Sequence, residues 1–256
     1  MSNKGIFSLE GQVALVTGSC QGLGLEIARG LAEHKATVLI HGREEAKAKL
    51  VSTRLQAQGL KADWIAFDIN DKAGRDRAFT DIQERHGGLH VLVNNASIRA
   101  RKTLAGLSSD EVAGIVNTNL LSTIEVTRLA INLMRPRRYG RVLTITSISG
   151  RVVRFGDFAY PITKQALDAM TRSAAVEFGR DGIVCNAIAP GTFATEFNQQ
   201  LVSTPSNIAK MQDRNPLQRW GEPDEIVGPA VFLCSPAASY VNGHTIVADG
   251  GFSIAF

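Results

Sequence analysis

The feature that most constrains the fold is a glycine-rich turn between an apolar segment and an amphipathic one. Residues 12–17 are mostly apolar, which predicts a short strand buried on both faces. The turn, Gly18-Ser19-Cys20-Gln21-Gly22-Leu23-Gly24, follows directly, and apolar residues then recur at helical spacing. Glycines allow close approach of the backbone, and amides at a helix N-terminus point towards an anion. The order strand, turn, helix therefore predicts a cradle for cofactor phosphates, although many glycine-rich turns bind nothing.

The remainder of the chain alternates apolar strand patterns with helical ones. Further strands are predicted at residues 36–40, 64–67, 91–97, 142–146, 183–188 and 244–247. No internal repeat or linker interrupts the pattern, and 256 residues suit one large α/β domain. The expected fold is therefore a single Rossmann-type domain over residues 1–256, with a doubly wound parallel sheet and helices on both faces. Ligands of such sheets bind outside the carboxyl ends of the strands.

Composition narrows the class of protein. With 44% hydrophobic and 20% charged residues, the chain is expected to fold rather than remain disordered. The net charge of +4 is spread along the sequence, which argues against a nucleic-acid partner. The N-terminus lacks the apolar core of a signal peptide, and no apolar run is long enough to cross a membrane. Three scattered cysteines predict neither disulfides nor a metal site, so a cytoplasmic protein is expected.

Tyr160, Lys164 and Ser147 form the candidate catalytic group. Tyr160 and Lys164 are four residues apart, so on a helix they share a face, with their Cβ atoms about 5–6 Å apart. A tyrosine has a reference pKa of about 10, and a nearby ammonium favours its phenolate form. Ser147 follows a predicted strand and can bring a hydroxyl to the same reacting oxygen. The three residues predict proton transfer to or from a hydroxyl oxygen.

Arg43 follows the second predicted strand, where enzymes that prefer NAD usually carry an acidic residue. A guanidinium can pair with a 2′-phosphate, which a carboxylate would repel. The sequence therefore predicts a preference for NADP(H), with NAD as a second cofactor. Arg43 could instead simply precede a solvated helix, and the neighbouring Glu44 and Glu45 could weaken phosphate binding.

Several polar residues follow other predicted strands or interrupt a predicted helix. Asp68 could accept from an adenine amine or act as a turn residue. Asn94 and Asn95 either link adjacent strands or contact the cofactor, since buried amides need partners. Asn119 interrupts the helix predicted over residues 111–133, where it is either hydrogen-bonded core or a residue that loosens the helix and holds a water. Arg99, Arg101 and Lys102 form either a solvated basic loop or an anion-recognition group.

These motifs, in this order, resemble the short-chain dehydrogenase/reductase family over essentially the whole chain. Its cofactor motif matches Thr17-Gly18-x-x-x-Gly22-x-Gly24, and its strand-four motif matches Asn94-Asn95-Ala96. Its catalytic tetrad matches Asn119, Ser147, Tyr160 and Lys164, and its nicotinamide segment matches Pro190-Gly191 with Thr195. The resemblance implies an oxidoreductase that interconverts a secondary alcohol and a ketone, with hydride passing to or from the nicotinamide.

The resemblance also implies roles for individual residues. Tyr160 would be the acid/base, Ser147 would polarise the substrate oxygen, Lys164 would lower the pKa of Tyr160 and bind the nicotinamide ribose, and Asn119 would hold a water in a proton relay. The residues expected to bind the cofactor are Gly18, Ser19, Gln21, Gly22, Leu23, Gly24, Arg43, Asp68, Ile69, Asn95, Tyr160, Lys164, Pro190, Gly191, Phe193 and Thr195.

The sequence departs from the family pattern at two places. Ser97 stands where the family usually has glycine, which adds a side chain near the cofactor. Pro161 and Thr163 follow Tyr160 where small residues are usual. A proline is tolerated in the first turn of a helix, so the helix is expected to form.

Some details resemble the gluconate 5-dehydrogenase group of sugar-acid dehydrogenases within the family. The arginines after the Asn-Asn-Ala motif and Arg154 predict a basic mouth suited to a carboxylate, with Arg99, Arg154 and Ser147 as substrate-binding residues. The alternatives are an enzyme like 3-oxoacyl-carrier-protein reductase, or a catalytically silent dinucleotide-binding protein. The resemblance further implies a homotetramer, to which Ile162, Ala166, Ala169 and Met170 could contribute unless they pack in the core.

Overall fold

A computed structural model of the chain describes residues 5–255, so the ends of the predicted 1–256 domain lie outside the described part. Within it, seven strands form one parallel sheet, and each lies where the alternating pattern predicted a strand. They are β1 (Val13–Val16), β2 (Thr37–Gly42), β3 (Ala62–Ala66), β4 (Val91–Asn94), β5 (Gly140–Ile145), β6 (Ile183–Pro190) and β7 (Thr245–Ala248).

The strand order, β3-β2-β1-β4-β5-β6-β7, confirms the doubly wound topology. From the centre of the sheet, β1, β2 and β3 follow one another towards one edge, and β4, β5, β6 and β7 follow one another towards the other edge. The order therefore reverses between β1 and β4, which pair in parallel from Ala14 with Val91 to Val16 with Val93. A crevice opens outside the carboxyl ends of the strands at such a reversal. The glycine-rich turn and the Asn94-Asn95 motif both lie there.

Helices cover both faces of the sheet. They are α1 (Gly22–Glu33), α2 (Glu45–Ala57), α3 (Lys72–His86), α4 (Ser109–Val116), α5 (Ser122–Met134), α6 (Ala159–Phe178), α7 (Gln199–Ser203), α8 (Pro205–Arg214) and α9 (Val227–Cys234). Buried residues of α1, α2 and α9 share one apolar core, and those of α3, α5 and α6 share a second.

Alternation along the strands produces these two cores. In β1, Ala14 and Val16 belong to the first core, whereas Val13 and Leu15 belong to the second. Successive side chains of a strand point to opposite faces, so a continuous apolar run supplies both layers. This explains why β1 is apolar throughout rather than alternating with polar residues.

Asn119 lies in a π-helical turn, Asn117–Leu121, that separates α4 from α5. Such a turn widens the helix by one residue and is frequent at functional sites. The expectation that Asn119 loosens this helix is therefore confirmed. Pro161 lies in the first turn of α6, where its missing amide removes no internal hydrogen bond, so the helix forms as expected.

Most strand boundaries differ from the sequence prediction by one or two residues, and the end of the fourth strand differs by three. That strand ends at Asn94 rather than continuing to Ser97, because the side chain and backbone of Asn95 bond to the turn after β1 instead of to a strand. Residues 192–211 contain the short helix α7 and most of α8. α8 begins with Pro205, whose fixed φ suits a first helical position.

Candidate active site

The glycine-rich turn at the end of β1 requires its glycines. Gly18 and Gly22 have φ angles of 65° and 60°, in the left-handed region that favours glycine. A Cβ on Gly24 would lie 2.4 Å from Nδ2 of Asn95 and 2.6 Å from the Gly18 carbonyl oxygen. The turn therefore packs closely against Asn95 at the end of the fourth strand.

Asn95 connects β4 to this turn. Its backbone amide donates to Oγ1 of Thr17 (2.9 Å), and its Nδ2 donates to the carbonyl oxygens of Thr17 (2.8 Å) and Gly18 (3.1 Å). Asn94 points into the core, where its Nδ2 donates to Oγ1 of Thr127. Of the two interpretations of this motif, the structure supports the linking of strands. A cofactor contact by Asn95 would have to use its Oδ1, since Nδ2 is already committed.

His41 supports the same turn from β2. Its Nδ1 accepts from the Gly18 amide at 3.0 Å, so Nε2 carries the proton and donates to the Phe67 carbonyl oxygen at 3.1 Å. Burial lowers the pKa of His41 to about 4, which keeps the ring neutral and this arrangement intact near pH 7.

The N-terminus of α1 provides the test of whether a phosphate fits here. Its N-cap residue, Gln21, makes no side-chain capping bond, and the first turn carries no acidic residue. The Gly22 amide instead donates to the Glu196 carboxylate at 3.2 Å, from the segment after β6. The helix end thus already binds an anionic group through its amides, as the positive end of the helix dipole favours. The cradle fits a cofactor pyrophosphate.

The ends of β2 and β3 lie beside this cradle. Arg43 is exposed directly after β2 and has no ion-pair partner among residues 5–255. α2 begins two residues later, at Glu45, and its Lys47 hydrogen-bonds Gln21 of the glycine-rich turn. Asp68 accepts from the Asn70 amide at 2.8 Å, so its role as a turn residue is confirmed, and an adenine contact stays a prediction. Ile69 is buried beside it.

Asn119 binds the loop after β4. Its Oδ1 accepts from the Ile98 amide and its Nδ2 donates to the Ile98 carbonyl oxygen, both at 2.8 Å. Nδ2 also lies 3.2 Å from Oγ1 of Thr163 on α6. The side chain therefore holds three segments together, and it is fully buried. Both polar atoms of the side chain therefore already bind protein groups. A water held by this residue in a proton relay stays a prediction.

Ser147, Tyr160 and Lys164 converge at the end of β5. Ser147 lies two residues after β5, and its Oγ accepts from the Ser149 amide. The hydroxyls of Ser147 and Ser97 lie close enough to the Tyr160 phenol to lower its pKa. Nζ of Lys164 is 5.4 Å from the centroid of the Tyr160 ring and donates to the Ile145 carbonyl oxygen at 2.8 Å. The three residues predicted to share one site are therefore together.

The electrostatics of this group differ from the sequence prediction. Burial raises the pKa of Tyr160, and the opposing cation is the Arg99 guanidinium rather than Lys164. Burial also lowers the pKa of Lys164 to about 7, with Arg99 adding to this and Asp168 opposing it. Lys164 is not among the groups that shift the pKa of Tyr160 in this structure, so its role in lowering that pKa stays a prediction. Its ammonium is itself buried and donates to the Ile145 carbonyl oxygen, which sequence spacing cannot reveal.

The basic loop after β4 divides into paired and unpaired cations. Arg99 forms an ion pair with the buried Asp157, and Lys102 forms one with Glu111. Burial lowers the pKa of Arg101, and the charges of Arg99 and Arg154 lower it further, so these three guanidinium groups lie near one another. Arg99 is already paired with Asp157, and its role as a substrate ligand stays a prediction. Among residues 5–255, Arg101 and Arg154 have no ion-pair partner.

The segment after β6 approaches the site from the other side. Gly191 packs so closely on Asp249 that a Cβ would lie 2.6 Å from the Asp249 Cβ. Thr195 is buried and hydrogen-bonded by Asn198. Phe193 belongs to the first core, and its ring packs on Gly221. Pro190 ends β6. The nicotinamide contacts predicted for Pro190, Gly191 and Thr195 stay predictions, and Phe193 is chiefly a packing residue.

Other kinds of site find no support in the described part of the chain. Residues 5–255 hold no cluster of three or more side chains able to bind a metal ion, and they contain no helix long and apolar enough to span a bilayer. All three cysteines are free thiols, and burial raises the pKa of Cys185 and Cys234 to about 12, so these two are inert. Both are small hydrophobic side chains buried in the core.

Comparison with known proteins agrees with this site. A profile described as enoyl-(acyl carrier protein) reductase matches residues 18–253. Gluconate 5-dehydrogenase of Gluconobacter oxydans (strain 621H) is 36% identical over 254 residues, covering 99% of each chain. The 5-keto-D-gluconate 5-reductase of Escherichia coli (strain K12) is 35% identical over 250 residues, covering 98% of each. The chain belongs to the short-chain dehydrogenase/reductase family. It is thus an NAD(P)-dependent oxidoreductase acting on CH–OH groups.

A solved structure extends the match to three dimensions. Gluconate 5-dehydrogenase from Burkholderia cenocepacia J2315, in complex with NADP and tartrate, superposes with a TM-score of 0.94 at 36% identity, covering 98% of each chain. The short-chain dehydrogenase/reductase fold inferred from the glycine-rich turn and the strand pattern is therefore confirmed.

Three polar residues of the site escaped the sequence analysis, and a fourth was noted without its role. Asp157 and Glu196 carried no signal, because an isolated acidic residue in a loop is ordinary. Lys47 looked like any charged residue of a solvated helix. Ser97 did carry a signal, as a departure from the glycine usual in short-chain dehydrogenases/reductases, but its effect on the pKa of Tyr160 needed the fold.

The contact between Glu196 and the α1 N-terminus generates a prediction. The carboxylate competes with cofactor phosphate for the Gly22 amide, so Glu196→Gln should bind NADP more tightly. A charge at a helix terminus is worth about 0.3–1 kcal/mol, which is about a two- to fivefold change in Kd. Isothermal titration calorimetry measures the Kd of NADP for the variant and for wild type. Glu33→Gln, at the opposite end of α1, is the matched control and should leave Kd unchanged; equal affinities of Glu196→Gln and wild type would contradict the competition.

Proposed function

We propose that the protein is an NADP(H)-dependent dehydrogenase that interconverts a secondary alcohol and a ketone on a sugar acid, in the manner of gluconate 5-dehydrogenase. The observation that carries the proposal is the convergence of Tyr160, Lys164 and Ser147 at the end of β5: Nζ of Lys164 lies 5.4 Å from the Tyr160 ring centroid, and the Ser147 hydroxyl acts on the pKa of the phenol. The relatives named above act on gluconate or 5-keto-D-gluconate, as their names state.

The residues suggest how the protein handles the proton. When bound, the cofactor supplies or accepts the hydride. Ser147 donates a hydrogen bond to the substrate oxygen, and Tyr160 takes the hydroxyl proton during oxidation or returns it during reduction. Ser147 lies near the end of a strand, and Tyr160 on the first turn of α6, so both hydroxyls are held by regular structure. Such preorganisation is what positions a reacting group within a short distance.

NADP is the preferred cofactor, as the bound NADP of similar short-chain dehydrogenases supports. Arg43 is the residue proposed to recognise its 2′-phosphate. It is exposed at the end of β2, and β2 is adjacent to β1, which carries the cradle. Lys47 adds a second cation on the same side, through its bond to Gln21. A phosphate bound by a guanidinium gains two parallel charge-assisted hydrogen bonds.

This recognition predicts a selective loss of affinity. Arg43→Ala should weaken NADPH binding by about tenfold or more while changing NADH binding by less than about twofold, since hydrogen bonds to charged groups are worth about 1.5–3 kcal/mol. Fluorescence titration of both cofactors measures the ratio. Arg54→Ala, an exposed arginine farther along α2, serves as control. Equal losses for NADPH and NADH in Arg43→Ala would refute the assignment.

The substrate class follows from the unpaired arginines. The unpaired Arg101 and Arg154 are neighbours, since Arg99, Arg154 and Tyr160 all act on the pKa of Arg101. Because Asp157 neutralises Arg99, these two guanidinium groups are the ones proposed to attract a substrate carboxylate. A carboxylate held there, with the reacting carbon near Tyr160, fits a polyhydroxy acid. A basic mouth of this kind also suits an acidic carrier protein, and a substrate panel separates the two possibilities.

A charge change at the mouth should therefore discriminate between substrates. Arg154→Ala should raise KM for sugar acids by about five- to tenfold and leave KM for uncharged polyols or diketones within about twofold, because a partly exposed ion pair contributes about 1 kcal/mol. Steady-state kinetics on matched acidic and neutral substrates provide the test. Arg151→Ala, in the same loop, is the control. A uniform rise for both substrate classes would argue against a carboxylate site.

The central test concerns Tyr160 itself. Tyr160→Phe keeps the ring but removes the acid/base hydroxyl, so turnover should fall by at least about a hundredfold, in keeping with general acid–base contributions. NADPH affinity should remain within about twofold of wild type. A panel of sugar acids, polyols and diketones, followed by nicotinamide absorbance, identifies the substrate. Tight NADPH binding without turnover on any of them would favour a catalytically silent protein.

We also propose a homotetramer. The outer face of α6 exposes Ile162 (56%) and Val176 (84%), and Leu121 and Ile124 expose apolar surface on the preceding helix. The alternative of core packing is therefore wrong for Ile162. Apolar groups left exposed along helices commonly mark interfaces. Sedimentation velocity tests the proposal, and a purely monomeric wild type at micromolar concentration would contradict it.

A further inference from the structure

A buried ion pair lies against the ring of Tyr160. Asp157 is three residues before Tyr160 and is only 2% exposed. It accepts two hydrogen bonds from Arg99, one from Nε at 3.1 Å and one from Nη2. This fork geometry fixes the plane of the guanidinium. The loop after β4 and the loop before α6 are thereby joined next to the catalytic residue.

Arg99 also contacts the aromatic ring. Its Cζ lies 4.5 Å from the centroid of the Tyr160 ring, closer than Nζ of Lys164 at 5.4 Å. A cation within about 6 Å of a ring centroid is attracted to the π-electrons. The side chain of Arg99 is 28% exposed, whereas that of Asp157 is 1% exposed. The aspartate thus anchors the arginine, and the arginine packs on the phenol ring.

The charged groups around the phenol oppose one another. Arg99 favours the phenolate, Asp157 disfavours it, and hydrogen bonds from Ser147 and Ser97 favour it. Arg101 and Arg154 belong to the same cluster, and Lys164 lies beneath the ring with burial holding its own pKa near 7. Arg99 and Asp157 form one ion pair of opposite charges. Removing the cation and removing the anion therefore change the electrostatic potential at the phenol in opposite directions.

We propose that the Arg99–Asp157 pair is a positioning element that orients the Tyr160 ring and sets how readily its hydroxyl releases a proton. The pair would supply the cationic influence that the family resemblance assigned to Lys164. The proposal rests on the proposed function only in giving Tyr160 its acid/base role. Neither Arg99 nor Asp157 needs to touch substrate or cofactor for this effect.

The test uses the opposite signs of the two charges. Arg99→Gln removes the cation that favours the phenolate, so the pKa of Tyr160 should rise. Asp157→Asn removes the anion and keeps a hydrogen-bond acceptor for Arg99, so the pKa should fall. A unit charge about 5 Å away through partly hydrated protein moves a pKa by roughly one unit. A loss of packing alone would not move the two variants in opposite directions.

The primary readout needs no substrate. Ultraviolet titration of phenolate absorbance in the full-length protein, minus the same titration with Tyr160→Phe added, isolates Tyr160 from Tyr139 and Tyr240. In the active enzyme, the pH at half-maximal kcat for alcohol oxidation should shift in the same direction. The double variant Arg99→Gln/Asp157→Asn has no net charge change, so the pKa of its Tyr160 should lie within about a third of a pKa unit of the wild-type value.

Controls separate this role from folding and from the proposed function. Lys102→Gln breaks the neighbouring Lys102–Glu111 pair and should shift neither titration. If a single variant does not fold, the double variant can still be measured, because it leaves no unpaired buried charge. Its near-ultraviolet circular dichroism reports the position of the Tyr160 ring and must match that of wild type. Shifts of the same sign, or none, in the folded single variants would overturn the proposal even if the enzyme is active. Absence of turnover in wild type would instead refute the proposed function and leave the titration valid.

Discussion

The hydrogen bonds from Asn95 to Thr17 and Gly18 hold the site together, because they join the two strands between which the sheet order reverses. If these bonds were lost, the position of the glycine-rich turn relative to the end of β4 would no longer be fixed. The loop that begins at Asn95 carries Ser97 and Arg99, so the same bonds also determine where the phenol's neighbours lie. One amide side chain thus couples the cofactor cradle to the catalytic group.

A second asparagine completes this coupling. Asn119 binds both backbone groups of Ile98 and approaches Thr163, two positions that no local pattern brings together. Its π-helical turn sets the side chain at the depth needed for these contacts. Buried amides left unpaired would cost about 1–3 kcal/mol each, so the network is stable only when complete. The site is rigid because its polar groups satisfy one another.

Burial also explains the electrostatics. Lys164, Asp157 and Asp168 are each 2% exposed. Asp157 acts on the pKa of Tyr160, and Asp168 acts on that of Lys164, with little screening by solvent. A buried carboxylate persists because Arg99 pairs with it, and a buried ammonium persists with its pKa lowered to about 7. The protonation of the phenol therefore depends on which charges surround it in space. Distance along the chain is a poor guide to this balance.

The amino-acid sequence alone determined the seven strands, the phosphate cradle and the grouping of Ser147, Tyr160 and Lys164, because each depends on local periodicity or on residues that parallel strands bring to one edge. It also indicated the loosened helix at Asn119. Only the tertiary structure decided that Arg99 pairs with Asp157, that Glu196 reaches the α1 N-terminus and that Lys164 is directed at a carbonyl. The two residues of each contact are separated along the chain by 58, 174 and 19 positions, respectively. The energies of these contacts depend on burial, which a linear sequence does not specify.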